Sequence, residues 1–208
     1  MILFLLVIVI LFACVATLHT EGMWSNALRL INVVTAALLA TNYFESLARW
    51  LESIMPSYTY YCDFFALWCL FCLFMLALRA LTDWVSRVQV RFLKIADRIG
   101  GTFFSLWVGW ALVCFMMMTL HTTPLAPHFL FDGFQQEQHM IMGLAPDRQW
   151  LGFMQRMSLG TFRSSATAEE SQQQKYVFDP NADFMLKYAA RRKNLEEYIR
   201  NYQSTVVE

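Results

Sequence analysis

The sequence has little charge, since Asp, Glu, Lys and Arg make up only 15% of its 208 residues. A typical soluble domain has roughly 25%. The shortage lies mainly before His121, because 19 of the 32 formal charges follow that residue. Hydrophobic residues account for 57% instead, and the net charge is zero. This composition argues against a soluble globular protein, and it gives no indication of nucleic acid as a partner.

Signatures of catalysis and of metal binding are missing as well. The sequence has no G-x-S-x-G, no H-E-x-x-H and no phosphate-binding loop. Its four histidines do not share a metal-binding spacing. Cys69 and Cys72 form a C-x-x-C inside an apolar stretch, where burial keeps thiols unreactive. We therefore expect no catalytic residues, no metal, no cofactor and no enzyme activity.

What the sequence does have is four long apolar stretches before residue 121. A helix of roughly 20 apolar residues crosses a bilayer core about 30 Å thick, and a spanning segment must be helical because lipid offers the backbone no hydrogen bonds. The first stretch is expected to be a retained helix rather than a cleaved signal peptide, since no Lys or Arg precedes it. The sequence therefore predicts an all-α membrane protein with a four-helix transmembrane unit over residues 1–120. The four stretches are 2–18, 23–44, 58–81 and 100–120.

Charge placement predicts the orientation of this unit. The connection 82–99 is the only densely basic one, and basic connections stay in the cytoplasm. With four spans, the N-terminus and the C-terminal tail then lie outside the cytoplasm. The basic residues of that connection are Arg87, Arg91, Lys94 and Arg98.

Two further stretches have amphipathic helical patterns. Segment 45–55 is predicted to lie on the outer membrane surface, and segment 83–98 on the cytoplasmic surface. Asp97, at the end of the second segment, is expected to cap the N-terminus of the fourth helix.

Three charged side chains fall inside the apolar stretches. Asp63, Arg29 and Arg79 lie near span ends, where helix dipoles and lipid headgroups favour them. We interpret them as anchoring residues. The alternative is an ion or substrate pathway that uses Asp63, Arg29 and Asn32.

The tail divides into three parts by composition. Residues 121–163 form a membrane-proximal segment with an amphipathic helix that starts at Pro146. Residues 164–182 are expected to be a linker, since their central part, 164–174, is polar. Residues 183–208 are predicted to form a soluble helix, for which a solvated position is favoured over docking because its apolar stripe is thin.

Small residues recur every four positions in the fourth apolar stretch, at Gly101, Ser105 and Gly109. Such a face lets another helix approach closely. The partner helix could belong to the same chain or to a second copy. A leucine at Gly109 is expected to disrupt this contact more than one at Gly101, which lies nearer the membrane surface.

The residues around this stripe resemble the colicin V production protein family. Asp97, Arg98, Gly101 and Gly109 match the family pattern of an Asp-Arg before a glycine-striped fourth helix, and Gly22 matches the glycine of the first loop. Ser105 stands where a glycine is usual, and Glu21 replaces an arginine. The resemblance covers roughly residues 1–120.

The resemblance implies a bacterial inner-membrane protein linked to colicin V production or export and to envelope upkeep. We expect a non-enzymatic accessory or scaffold protein whose partners are the lipid bilayer and either a second copy or other membrane proteins. The main alternative is a small transporter or channel that works as an oligomer.

Overall fold

The computed structural model describes residues 2–86, 94–124, 144–159, 178–179 and 182–207. Within these ranges the chain is all-α, as predicted, and contains no strand. A short 3₁₀ turn, Pro56–Tyr58, separates the second and third helices. The helices are α1 (Ile2–Leu18), α2 (Met23–Ile54), α3 (Thr59–Val85), α4 (Lys94–His121), α5 (Pro146–Leu159) and α6 (Phe184–Val207).

Three helical segments are long and apolar enough to cross a membrane: Met23–Ile54, Pro56–Val85 and Ile95–His121. The apolar helix α1 is shorter, at 17 residues. Large apolar side chains on these helices face outward, among them Phe12, Phe65, Leu76 and Trp107. Such extensive apolar surface is stable when lipid covers it, so the chain is a multi-pass membrane protein.

Helix α2 lies at the centre of the helical unit, between α3 and α4. Its face toward them carries Ala36, Ala37 and Ala40, which are almost completely buried. These small side chains let Leu67 of α3 and Phe115 of α4 pack against the α2 backbone. Helix α1 packs on the outer side of α4 through a second apolar cluster.

Segment 45–55 is not a separate surface helix, which corrects the sequence-based expectation. Helix α2 continues without a break from Met23 to Ile54, because no Gly or Pro interrupts it before Pro56. Met55 leaves the helical region, as is usual for the residue before a proline. At about 1.5 Å per residue, the 32 residues of α2 extend about 48 Å, well beyond a bilayer core of about 30 Å.

Segment 83–98 is divided between two helices. Its first residues complete α3, which ends at Val85, and its last residues begin α4 at Lys94. Residues 87–93, the middle of the predicted cytoplasmic surface helix, lie outside the described residues. Asp97 is therefore inside the first turn of α4 rather than at its N-cap.

The tail contains the amphipathic helix predicted to start at Pro146, which is α5. Helix α6 differs from the expectation of a solvated helix, because Phe184 and Tyr188 are buried in the same apolar cluster as α2 and α3. The second half of α6 remains exposed, including Tyr198 and Tyr202. Most of the linker predicted over 164–182 lies outside the described residues.

Candidate functional site

The N-terminus of α2 is capped from another helix. Its N-cap residue, Gly22, has no side chain to offer, so the first backbone N–H groups of α2 need an acceptor from elsewhere. Asp97 of α4 supplies it, since the Met23 N–H donates to Asp97 Oδ1 at 2.7 Å. A carboxylate at a helix N-terminus also interacts favourably with the helix dipole. Asp97 thus caps α2, not α4 as the sequence suggested.

Only glycine fits at position 22. Its φ of 85° and ψ of 165° lie in a region that other residues essentially do not adopt. A Cβ there would also lie 3.1 Å from both carboxylate oxygens of Asp97. The backbone conformation of Gly22 and the position of Asp97 therefore depend on each other.

Asn26 connects α2 to two other helices. This side chain is completely buried, and its Nδ2 donates to the Leu18 carbonyl at 2.7 Å and to the Gly101 carbonyl at 3.0 Å. One amide group therefore binds the C-terminal end of α1 and the first turns of α4. We refer to Gly22, Met23, Asn26, Asp97 and Gly101 together as the junction.

The small-residue face of α4 points toward α1 and the turn that follows it. A Cβ on Gly101 would lie 3.4 Å from the backbone of His19 and of Gly22. A Cβ on Gly109 would lie 3.0 Å from the Leu11 side chain and 3.2 Å from Cys14. Ser105, between them, is fully buried and donates to the Thr102 carbonyl. The helix in contact with this face is α1 of the same chain.

The structure brings Gly22, Asp97 and Gly101 together, but Arg98 is exposed and does not take part in the junction. Sequence reasoning missed the role of Asn26. A polar side chain four residues into an apolar helix was the available signal, because a buried amide in a membrane helix needs hydrogen-bonding partners.

At the opposite end of α2 and α3, a second polar cluster holds helix α6. Arg191 of α6 pairs with Asp63 of α3 and with Glu52 of α2, the latter at 3.2 Å. The same guanidinium donates to the Thr59 carbonyl at 2.7 Å and lies 5.4 Å from the centre of the Tyr60 ring. We refer to Glu52, Thr59, Asp63 and Arg191 as the tail clamp.

The tail clamp gives Asp63 a partner that the sequence did not reveal. Asp63 was expected to act through the dipole of α3, whereas its carboxylate binds a residue 128 positions later. Next to it, Tyr188 is buried, and this burial together with the negative charge of Asp63 raises the pKa of the tyrosine hydroxyl. Arg29, interpreted from the sequence as an anchoring residue, pairs with Glu21 in the turn before α2 at 2.5 Å.

Helix α5 is held by buried polar contacts to α2 and α4. His121, at the end of α4, lies 3.0 Å from Asp147 of α5, and both side chains are almost completely buried. Burial alone would raise the pKa of Asp147, but the hydrogen bond and charge of His121, together with the backbone hydrogen bond and charge of Arg148, outweigh it, so this pKa is lowered. Trp150 donates to Thr41 of α2 at 3.2 Å and packs against Phe115 of α4.

The described residues contain no group of three His, Cys, Asp or Glu side chains placed to hold a metal ion. The polar groups of the junction contact backbone atoms, and those of the tail clamp contact one another. Both clusters therefore position helices.

Comparison with known proteins finds a family-model match over most of the chain. The family model described as Colicin V production protein matches residues 3–138, which include the whole junction and end before α5 and α6. No curated protein and no solved structure gives a significant match to the chain.

Proposed function

Because the chain belongs to the colicin V production protein family, we propose that it is a non-enzymatic accessory or scaffold protein of the bacterial inner membrane. It acts in toxin production or export and in envelope homeostasis. Four helices, α1 to α4, cross the membrane, with the N-terminus and the tail outside the cytoplasm. Its partners are the bilayer and a second copy or other membrane proteins.

The main support for a scaffold is that the polar groups of the family-matched region bind neighbouring helices. In the junction, the carboxylate of Asp97 and the amide of Asn26 bind backbone groups of neighbouring helices. A scaffold needs helices fixed in one arrangement, and these contacts supply it.

The packing between α2 and α3 favours a scaffold over a transporter. Polar residues occur at the two ends of this helix pair, but the middle is closed by buried apolar side chains. An ion or polar solute crossing there would lose its hydration in an apolar environment, which is strongly unfavourable. The side chains that close it include Ala36, Ala40, Ala66, Leu67 and Phe71.

Genetic complementation tests the function. In a colicin V-producing strain that lacks its own family member, expression of this chain should restore the amount of secreted toxin and survival under detergent stress. Proteoliposomes of the purified chain should show no more ion flux than empty liposomes. Flux that requires the protein, without complementation, would support the oligomeric transporter instead.

Cysteine labelling tests the orientation. In a variant without the five native cysteines, an impermeant thiol reagent should label Glu197→Cys in intact cells and should leave Asp83→Cys unlabelled. Glu197 and Asp83 are both exposed and lie on α6 and at the end of α3. The opposite pattern would reverse the orientation.

A further inference from the structure

A polar cleft of about 250 Å³ lies beside the junction, between the start of α2 and the end of α3. The anchoring interpretation assigns Arg29 and Arg79 to lipid headgroups in general, but neither it nor the scaffold function assigns the cleft a specific ligand. Its lining includes Glu21, Trp24, Arg29, Asn32, Arg79 and Asp83.

Arg29 reaches this cleft with part of its hydrogen-bonding capacity unused. Its Nη2 is fixed by Glu21 at 2.5 Å, which holds the guanidinium in place. Its Nη1 is buried and has no hydrogen-bond partner among the described residues. The Arg29 side chain as a whole is 22% exposed and lines the cleft, so its guanidinium can bind an oxygen-rich ligand there.

The charges around the cleft balance. Two guanidinium groups, of Arg29 and Arg79, face two carboxylates, of Glu21 and Asp83. Arg79 and Asp83 are 3.9 Å apart and largely exposed, so their mutual attraction is weak and leaves both able to bind a ligand. A purely anionic ligand would be repelled by the two carboxylates. A ligand with one negative and one positive group could pair with the guanidinium groups and with the carboxylates.

In the proposed membrane arrangement, the cleft lies at the depth of the lipid headgroups, because it is near the ends of two apolar helices. It is formed by the first turns of one apolar helix and the last turns of another, and the exposed Trp24 is part of its lining. Tryptophan is enriched at the boundary between lipid and water.

We propose that this cleft binds a zwitterionic group in which a phosphate is linked to a primary ammonium. The phosphate contacts Arg29 and Arg79, and the ammonium contacts Glu21 and Asp83. An aminophospholipid headgroup and free phosphoethanolamine share this chemistry, and the experiment separates the two sources.

The test uses the full chain, delipidated in a mild detergent. Phosphatidylethanolamine, phosphatidylglycerol, phosphatidylcholine and soluble phosphoethanolamine are added separately, and bound ligand is counted by native mass spectrometry. Phosphatidylethanolamine should be retained in preference to phosphatidylglycerol, which lacks the ammonium, and to phosphatidylcholine, whose methylated ammonium cannot donate. Binding of phosphoethanolamine alone, in competition with the lipid, would assign the same chemistry to a soluble ligand.

Variants locate the binding to the cleft. Arg29→Gln should weaken retention about tenfold and Arg79→Gln about threefold, because Arg79 is the more exposed. The matched control is Arg49→Gln, the same change at an exposed position near the other end of α2, which should have no effect. Arg79→Gln removes an exposed side chain, so it tests the cleft even where Arg29→Gln lowers the yield of folded protein.

Two outcomes would overturn the proposal. One is equal retention of phosphatidylglycerol and phosphatidylethanolamine, which would mean that the cleft does not use its carboxylates. The other is unchanged retention in both Arg29→Gln and Arg79→Gln, which would place the lipid elsewhere on the protein.

Discussion

The junction and the tail clamp each place an aspartate against a neighbouring helix, but the two aspartates bind different kinds of group. Asp97 accepts a hydrogen bond from the backbone of Met23. Asp63 binds the side chain of Arg191, which also contacts Glu52 and the Thr59 carbonyl. The first contact joins helices inside the family-matched residues 3–138, and the second joins them to a helix beyond that range.

This difference predicts that more of the protein depends on the junction than on the tail clamp. In the junction, Gly22 leaves no room for a side chain, and a Cβ on Gly101 would already touch the backbone of His19 and Gly22, so anything larger would push the helices apart. Separating the helices would expose backbone groups of α1, α2 and α4 together. In the tail clamp, one long side chain makes most of the polar contacts, and withdrawing it lets water reach Asp63. We therefore expect changes in the junction to affect the whole unit and changes in the clamp to affect α6 alone.

The largest effect is expected for Gly101→Leu. Its added side chain would meet the backbone of His19 and Gly22, which cannot move without separating α1 and α2 from α4. The free energy of unfolding should fall by about 3 kcal/mol, the upper end of overpacking costs. Denaturation in detergent, followed by helix content, measures it.

Two other glycines are compared with this change, and Gly152 is the control. Gly152→Leu on α5 should be nearly neutral, since no atom lies within 4 Å of the position that its Cβ would take. Gly109→Leu should be comparably destabilising, because its Cβ would lie 3.0 Å from the Leu11 side chain and 3.2 Å from Cys14 Cβ, which cannot move without the backbone of α1. The sequence ranked Gly109 above Gly101, and the same denaturation experiment compares the two. A Gly101→Leu variant as stable as Gly152→Leu would show that the junction is loosely packed.

A smaller effect is expected for Asp97→Ala, which removes the cap of α2. Loss of an N-cap side chain costs about 1 kcal/mol, and Asn caps nearly as well as Asp. Asp97→Asn should therefore keep most of the stability in the same denaturation experiment. If Asp97→Asn stayed folded and abundant but failed in the complementation assay, the charge itself would have a function beyond capping.

The third prediction concerns the tail clamp. Arg191→Gln should release α6 and increase its cleavage by an external protease, while the unfolding of the remaining helices changes by less than about 0.5 kcal/mol. Arg191→Lys should restore docking only in part, because an ammonium cannot make the forked contacts of a guanidinium. Lys193→Gln, at a neighbouring exposed position, is the control. If Arg191→Gln also destabilised the remaining helices, the whole helical unit would depend on the tail clamp as much as on the junction.

The sequence predicted the all-α class and the long apolar helices, because length and hydropathy determine both. The small-residue stripe of α4 could be identified by its spacing, although its partner could not. Contacts across long sequence distances were not accessible. The residues next to Asp97 in the sequence do not predict that its carboxylate accepts a hydrogen bond from Met23. Those next to Asp63 do not predict its ion pair with Arg191. Such pairings depend on how helices are arranged, which local periodicity does not specify.

Two expectations that the structure corrects, the end of α2 and the position of α6, have a common cause, because both were based on polarity. Segment 45–55 was separated from α2 because its polarity changes at Glu45, yet helix continuity depends on the backbone and persists until Pro56. Helix α6 was expected in solvent because its apolar stripe is thin, but two aromatic side chains and one arginine are enough to dock its first half. Polarity marks the depth of a residue in the membrane, and it does not mark where a helix ends.

The smallest effect is expected for acidification at the His121–Asp147 pair. The pKa of Asp147 is held below its ordinary value of 3.8, because the hydrogen bond and charge of His121, with smaller contributions from Arg148, outweigh the effect of burial. Its stabilising contribution is therefore complete above pH 3.8 and is lost as the pH falls below 3.8 through the lowered pKa. The difference in unfolding free energy between the native chain and Asp147→Asn should shrink as the pH falls from about 5 to about 3. Glu197→Gln, on an exposed part of α6, controls for the loss of one negative charge. A difference that stayed constant across this range would mean that the ionised carboxylate does not hold α5 against α4, and that Trp150 and its contacts with Thr41 and Phe115 suffice.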